Sequence, residues 1–457
     1  MKSSRSLCPV CLKLLNLEYI RRDDDVFLSK ECDEHGSFEI PIWRGLPDID
    51  DWMMGTELTR PSKVLTTSVD GCPFDCGVCP EHKQQACCVV IEITSRCNQS
   101  CPVCYASSSK DTCGPDDRPV DEIISDLKFL KEIGETRPFN LQFSGGEPSL
   151  RDDLPEILRA ASALGFPYLQ LNTNGRRLAE EPGYASTLKD SGLSAVFLQF
   201  DGLSDDVYIR LRGEALAEKK RQAVTNCAAA GLGVVLVMTL VQGVNDHQLG
   251  GLVKYLTENL PAVRGLHLQP VSCFGRYPEG RGKPRRITMP EVFAALELQL
   301  GDSVKADYFK PLSSGHPLCS FHGRFYLGPE KEIVPLINDK AESPGSFCCC
   351  SGGVSAIMKA RDFLSEKWTM PSASSSQPVG AAYNVSAWDE YLQLVKQNGF
   401  SITGMLFQDA DTLDLDRLSS CRVHVLAPNR RLIPFCAYNL SSRNGMTLYR
   451  RQLKVQH

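Results

Sequence analysis

An α/β fold is expected from this sequence, with a partial (β/α)6 barrel between an N-terminal metal-binding ribbon and Cys-containing C-terminal extensions. Three observations carry that expectation. Short β-branched or aromatic stretches alternate with amphipathic ones over residues 89–275, the period switching from 2 to 3.6 as strand gives way to helix. The first fifty residues hold paired metal-ligand spacings. The remaining cysteines fall in tight groups on both sides of the alternating region.

Residues 1–50 open with CPVC, which places Cys8 two residues before Val10 and three before Cys11, and some twenty residues later CDEH supplies Cys32 and His35. That knuckle spacing suits a tetrahedral, closed, mononuclear zinc or iron site, structural or electron-relaying rather than catalytic. Residues 51–88 are Cys-rich and lack periodicity. From Val89 the strand candidates are Val89–Thr94, Asn140–Ser144, Tyr168–Asn172, Ala195–Phe200, Val234–Leu240 and Leu266–Gln269. Between the first two, Val120, Ile123, Ile124, Leu127, Leu130 and Ile133 recur at helical spacing, and helices are expected over Leu154–Leu164, Glu218–Ala230 and His247–Asn259. Six consecutive βα units imply parallel strands with right-handed crossovers. Residues 276–370 form a Cys-containing extension, 371–380 (PSASSSQPVG) read as a linker, and 381–457 as a last module.

Composition narrows the function. A net charge of -5 leaves no basic excess to bind nucleic acid. Met1–Ile20 lacks the apolar stretch of an export signal, and Val234–Val241, the longest largely apolar run, is far short of the roughly 20 residues of a membrane-spanning helix. A cytoplasmic protein without a transmembrane segment is expected. In that compartment thiols stay reduced, so 20 cysteines in tight groups point to soft-metal or iron-sulfur ligation rather than disulfides.

In βα barrels, chemistry sits where the loops leave the C-terminal ends of the strands. The first strand candidate runs into SRCNQSCPVCYA, the second into SGGEP, the third into NTNG, the fourth into Asp201 and Gly202, and the sixth into Gln269 and Pro270. Three cysteines spaced CxxxCxxC, Cys97, Cys101 and Cys104, can ligate three irons of a [4Fe-4S] cube and leave the fourth iron open for substrate or cofactor.

CxxxCxxC after the first strand, GGEP some forty residues later, and the NTNG and FDG stretches resemble the radical S-adenosylmethionine (SAM) superfamily over roughly residues 86–275. The resemblance implies that SAM chelates the open iron beside Cys97, Cys101 and Cys104, with Gly145, Gly146 and Glu147 holding its amino group. Asn172, Asn174, Gln199 and Asp201 are then partners for its ribose or carboxylate. It implies reductive cleavage of SAM to methionine and a 5'-deoxyadenosyl radical that abstracts hydrogen from substrate, with electrons from a reductant such as ferredoxin or flavodoxin. The family often has an aromatic residue just before the third cysteine; here Val103 stands there and Tyr105 follows.

GCPFDCGVCPEH repeats CxxxCxxC at Cys72, Cys76 and Cys79. It precedes the barrel and no GGEP follows it at the family distance, so it is read as an auxiliary iron-sulfur site, with Cys87, Cys88 or His82 as the missing ligand. One further cluster is expected among Cys273, Cys319, Cys348–Cys350, Cys421 and Cys436, with Cys319, Cys349 and Cys436 as the leading candidates. Adjacent cysteines point in different directions, so the triplet does not give all its thiolates to one centre. Cys227 reads as a buried apolar residue, and Cys113 as incidental. The CPxC ribbon, the GCPxDCGxCPEH stretch and the terminal PFCAYNL and LYR also resemble the tetraether lipid synthase-like branch, nearest the radical SAM (seleno)protein TrsS group, which implies several auxiliary clusters.

The leading expectation is an enzyme that makes a substrate radical, for carbon-carbon bond formation on an apolar or lipid chain. A peptide or protein maturase is the second reading, and a non-catalytic iron-sulfur electron-transfer or metal-scaffold protein the third. A small molecule, a lipid or a peptide fits as substrate. A long hydrophobic tunnel would favour lipid; an open groove would favour peptide.

Overall fold

The computed structural model describes residues 3–53, 57–111, 117–134, 138–277, 285–312, 314–336, 361–363, 366–371 and 386–450. Four antiparallel strands, β1 (Ser4–Leu7), β2 (Leu14–Arg22), β3 (Asp25–Cys32) and β4 (Gly36–Trp43), pair in chain order as the N-terminal ribbon. Along β3, Val26, Leu28, Lys30 and Cys32 are buried and the residues between them are more exposed, the period-2 pattern of a sheet covered on one face.

The barrel follows the expected order. Strands β5 (Cys88–Thr94), β6 (Asn140–Gly145), β7 (Leu169–Thr173), β8 (Ala195–Gln199), β9 (Gly233–Leu240) and β10 (Val263–Pro270) are parallel neighbours in sequence order. Alternation divides each strand between two environments. Val89, Ile91 and Ile93 of β5, and Val234, Leu236, Met238 and Leu240 of β9, pack into the apolar layer that also holds Leu127, Leu158 and Leu252 from the helices. Cys88, Val90 and Val237 face the lumen. The helices Val120–Ile133, Leu154–Ala163, Ala217–Ala229 and Leu249–Glu258 cover this sheet. Three short helices, Arg176–Glu180, Tyr184–Asp190 and Asp205–Arg212, were not expected: each is under three turns and carries too little periodic sequence to stand out.

The residues read as a last module are woven into the same sheet. β14 (Gly399–Met405) pairs parallel to β10, and β15 (Val423–Leu426) pairs parallel to β5, so eight parallel strands surround the lumen. β12 (Ser320–Leu327), itself paired with the short β11 (Lys310–Pro311) and β13 (Ile333–Pro335), continues antiparallel beyond β14, and β16 (Leu432–Pro434) continues beyond β15. The two edges meet where the Arg422 guanidinium donates to the hydroxyls of Ser314 (2.8 Å) and Ser320 (3.5 Å). Packing repeats the intertwining: Trp52, Phe293, Phe309 and Phe321, from four separate segments, form one aromatic stack with ring centroids 4.8–5.5 Å apart.

The ribbon docks on the 408–414 loop. Tyr19 donates to Asp414, Ser6 to the Leu413 carbonyl, and the buried Lys30 ammonium to the Ala410 carbonyl at 2.7 Å. Burial pulls Lys30 down to about 8, with Asp411 and Asp409 opposing that shift.

Four buried histidines make this fold acid-sensitive. Burial pulls His82 and His322 down to about 4, His267 to about 3, and His424 well below its ordinary value. A base with a depressed folded-state pKa is neutral in the native state, while the unfolded chain takes up protons below about pH 6.5; stability therefore falls as pH drops through that value. Four such groups cost about 6 kcal/mol together by about pH 5.5. Urea unfolding at pH 7.5 and 5.5 should show at least this loss, and His267→Gln should reduce it by about 1.4 kcal/mol.

Candidate active site

Where β5 and β6 end, two loops are pressed together backbone to backbone. The amide of Gly146 donates to the Thr94 carbonyl (3.0 Å) and that of Glu147 to the Arg96 carbonyl (2.8 Å). A Cβ on Gly145 would lie 2.1 Å from the Thr94 oxygen, and one on Gly146 2.2 Å from the Arg96 oxygen. Gly145 also has φ +141°. Only glycine fits either position, and the contact fixes the GGE turn against the chain that leads into Cys97.

Cys97, Cys101 and Cys104 line one end of a cavity of about 310 Å³ in the barrel lumen, with Gly145, Gly146 and Glu147 beside them. Arg276 holds the cysteine loop from outside. Its guanidinium donates to the carbonyls of Cys101 (2.8 Å) and Ser108 (2.7 Å), and its backbone pairs with that of Cys104 in both directions at 2.9 Å. Burial pushes the Cys97 thiol up to about 12 and raises Cys101, so binding of a metal at these sulfurs would displace protons. Three soft donors from one loop, facing a cavity rather than each other's backs, fit three corners of an iron-sulfur cube.

The partner residues divide into two sets. Glu147 is buried, and its carboxylate serves the protein: Oε1 accepts from Ser149 N, Ser149 Oγ and Thr173 Oγ1, and Oε2 from the Asn174 amide at 2.7 Å. One acceptor direction is left on Oε2, so the carboxylate's main task is to tie the β6 turn to the β7 turn. Asn174 joins the cysteine loop by donating to Asn98 at 2.7 Å. Asn172 and Gln199 line the cavity, bonded to Gln142 and Gln170 and to Lys220 respectively. Tyr105 also lines it and bonds Ser144 at 2.9 Å, while Val103 packs with Val207, Leu211, Val241 and Val271.

Asp201 departs from its expected role. It is fully buried, pairs with Arg212 through both oxygens at 2.7 Å, and accepts from the Thr239 amide at 3.0 Å. No acceptor faces the cavity; Arg212 does. Burial works against the Arg212 charge, but Asp201 outweighs it and holds the guanidinium protonated. Arg212 is thus a fixed guanidinium beside Cys101 and Cys104, balanced by Asp201, with four of its five N–H groups committed to Asp201, Thr239 and Val103. RLRGE gave no signal for it, because only the turn of the short helix Asp205–Arg212 points it inward.

In the ribbon, Cys8, Cys11, Cys32 and His35 bring one ligand atom each within 4.8 Å of the others. His35 Nδ1 lies 3.7 Å from Cys8 Sγ and 3.5 Å from Cys32 Sγ, and the Cys11 and Cys32 sulfurs are 4.0 Å apart. Those separations match the edges of a tetrahedron around one zinc-sized ion.

Comparison with known proteins agrees with this geometry. Residues 91–256 match the radical SAM superfamily model, and residues 1–44 match the model of the HMPTM N-terminal zinc ribbon domain. A curated relative from Methanocaldococcus jannaschii, 7,8-dihydro-6-hydroxymethylpterin dimethyltransferase, is 32% identical over 97% of this chain and 94% of its own length. The chain belongs to the radical SAM superfamily. A probable GTP 3',8-cyclase from Methanothermobacter thermautotrophicus is 30% identical over 37% of this chain and 53% of its own. The solved structure of methylornithine synthase matches with a TM-score of 0.35 at 16% identity, over 46% of this chain and 61% of the other.

Around this radical SAM site, the other cysteines sort by place. Cys72, Cys76 and Cys79 line a second cavity of about 450 Å³ together with His82. Cys88 does not join them: it and Cys87 face the barrel lumen, since Cys88 begins β5 and its side chain follows the inward register. His82 uses its Nε2 on the Cys421 carbonyl at 2.9 Å. Cys319, Cys421 and Cys436, far apart in sequence, converge. Leu406 donates to the Cys319 carbonyl and Gln408 to Cys436 Sγ at 3.2 Å, and all three thiols interact electrostatically. Cys273 sits apart from them, its amide on Asp409. Cys227 is fully buried in the apolar layer. Cys113 and the triplet, with the candidate ligand Cys349, lie outside the described residues. Among the described residues, no helix is long and apolar enough to cross a membrane.

Two outcomes follow. Gly146→Ala must push its Cβ into the Arg96 carbonyl, so the iron bound after anaerobic reconstitution should fall by the content of one cluster, with the thermal midpoint little changed. Cys32→Ser should remove about one equivalent of zinc or iron while leaving that cluster in place; metal analysis of both variants checks this.

Proposed function

We propose that this chain is a radical SAM enzyme acting on a planar, heteroatom-rich ring, replacing a ring C–H with a methyl group drawn from a second SAM, which leaves as S-adenosylhomocysteine, with the electrons supplied by the reductant. The observation that carries this reading is the lining of the lumen. Gln142, Asn172, Gln199, Thr239, His267, Gln269 and Thr403 present amide, hydroxyl and imidazole groups between aromatic faces of Phe197, Phe274, Phe407 and Phe435. Amide and imidazole edges match the donors and acceptors around a pyrimidine-type ring, and flanking aromatics suit its faces. The near full-length likeness to a pterin dimethyltransferase supports the same substrate class.

Cys97, Cys101 and Cys104 would hold the [4Fe-4S] cluster, which with bound SAM would supply a 5'-deoxyadenosyl radical by one-electron reductive cleavage. The chain's residues do the rest. Arg212 keeps a fixed guanidinium beside Cys101 and Cys104, and Asn174 keeps the two loops in register. The enclosing strands β14 and β15 exclude water from the reacting centre. The groups at Cys72, Cys76 and Cys79, and at Cys319, Cys421 and Cys436, fit auxiliary clusters fed by a small reductant such as ferredoxin or flavodoxin.

A lipid chain, as the likeness to the tetraether lipid synthase branch suggests, would need a long apolar tunnel; the lumen's lining is mostly apolar, but the polar groups of Gln142, Asn172, Gln199 and Thr239 interrupt it. A peptide would need an open groove, and the edge strands on both sides of the lumen stand against that.

The test is anaerobic incubation of reconstituted protein with SAM, dithionite and 6-hydroxymethyl-7,8-dihydropterin. Formation of 5'-deoxyadenosine with a methylated pterin, both lost in the Cys97→Ala, Cys101→Ala, Cys104→Ala triple variant, is expected. Release of 5'-deoxyadenosine with no pterin product and no stimulation by pterin would overturn the substrate class. No 5'-deoxyadenosine at all, with the cluster intact, would overturn the radical chemistry.

A further inference from the structure

The lumen carries two cations, and they differ in one respect. Arg212, beside the cysteine loop, is neutralised by Asp201. Arg422 faces the lumen from the other end: it precedes β15, and its carbonyl accepts from the amides of Cys87 and Cys88, at the start of β5. The cysteine loop leaves the opposite end of that strand, about 20 Å away at 3.3 Å per residue. Among the described residues no carboxylate lies within ion-pair distance of Arg422. The guanidinium bonds only neutral hydroxyls, Ser314 Oγ at 2.8 Å and Ser320 Oγ at 3.5 Å, and both serines are buried. Five N–H donors against two hydroxyls leave three for a ligand.

Among the described residues lining the cavity, Glu147 is the one carboxylate, and it is committed to Ser149, Thr173 and Asn174 at the far end. His267, next to Thr403 at 2.8 Å, is held neutral by burial, with the Arg422 charge adding to the effect. The half-buried Arg422 guanidinium lines the lumen with no carboxylate partner among the described residues, and a bound anion would form charge-assisted, forked hydrogen bonds with it.

Resting on the ring-substrate reading above, we propose that Arg422 and Ser320, with Ser314 positioning the guanidinium, form an anion subsite that holds a phosphate or carboxylate substituent of the substrate at the end of the lumen away from the cysteine loop. The substrate then spans the lumen, its anionic tail on Arg422 and its ring across the polar belt, with the reacting carbon turned toward the SAM end. Arg422 is a specificity residue: it discriminates between rings with and without the charged tail.

The experiment titrates the full-length protein with four probes: 6-hydroxymethylpterin, its phosphate ester, pterin-6-carboxylate and inorganic pyrophosphate. Pterin fluorescence reports the first three and calorimetry the last. At least one charged pterin should bind tenfold or more tightly than the neutral one, a difference of about 1.4 kcal/mol. Which one does so distinguishes phosphate from carboxylate. Arg422→Gln, which keeps polar contact with the serines, should abolish the preference, and Arg422→Lys should retain part of it, so that charge is separated from folding. Equal binding of charged and neutral pterins by the wild type, or a preference that survives in Arg422→Gln, would overturn the subsite. If no pterin binds, the ring reading fails; pyrophosphate binding that Arg422→Gln removes would still establish the anion subsite, and its absence would overturn that too.

Discussion

The contact between Gly145–Gly146 and Thr94–Arg96 is the constraint on which the site depends. Two backbones meet with no room for a single carbon between them, so the turn after β6 and the loop after β5 can only move together. From that point the linkage spreads through charge-assisted and neutral hydrogen bonds: Glu147 to the β7 turn, Asn174 back to Asn98, and Arg276 onto the Cys101 and Ser108 carbonyls. Three strand ends and the loop after β10 thereby hold three sulfurs toward one cavity. Preorganisation of this kind lets a reactive species form without the site rearranging around it.

The C-terminal residues turn a partial barrel into an enclosed one. β14 and β15 add to opposite edges of the six-stranded core, and Arg422 bridges the seam between them through Ser314 and Ser320. The segment between those strands also receives the ribbon, through Tyr19, Ser6 and Lys30, and it carries Phe407 into the lumen and Gln408 onto Cys436. The turn between Cys8 and Cys11 also meets the C-terminal segment directly, where the Arg443 amide donates to the Pro9 carbonyl at 2.8 Å, a mechanical link between the first and last parts of the chain.

What was legible in the sequence was what is encoded locally. The six strands and four helices declared themselves by period, and CPVC, CDEH, CxxxCxxC and GGEP by spacing, because their ligands lie within a turn or a loop of one another. Asp201 was legible as a carboxylate at a strand end, but its orientation toward Arg212 depends on how the helix Asp205–Arg212 lies over the lumen. Cys88 was grouped with Cys79 by nearness in sequence, whereas the start of β5 turns it into the barrel. Cys319, Cys421 and Cys436 meet only because β12 and β15 close the same seam, and Arg422 sits in no motif at all. Long-range pairing sets these positions, and no local pattern records it.

The central claim is that Cys97, Cys101 and Cys104 hold a cluster whose open iron receives SAM. Low-temperature electron paramagnetic resonance of the anaerobically reconstituted, dithionite-reduced protein tests it most directly, recorded with and without SAM for the wild type and for Cys101→Ala. A reduced-cluster signal that changes shape when SAM is added, and whose SAM-sensitive part is missing from the variant, is the expected result. A spectrum indifferent to SAM, or a SAM response that survives in Cys101→Ala, would contradict it.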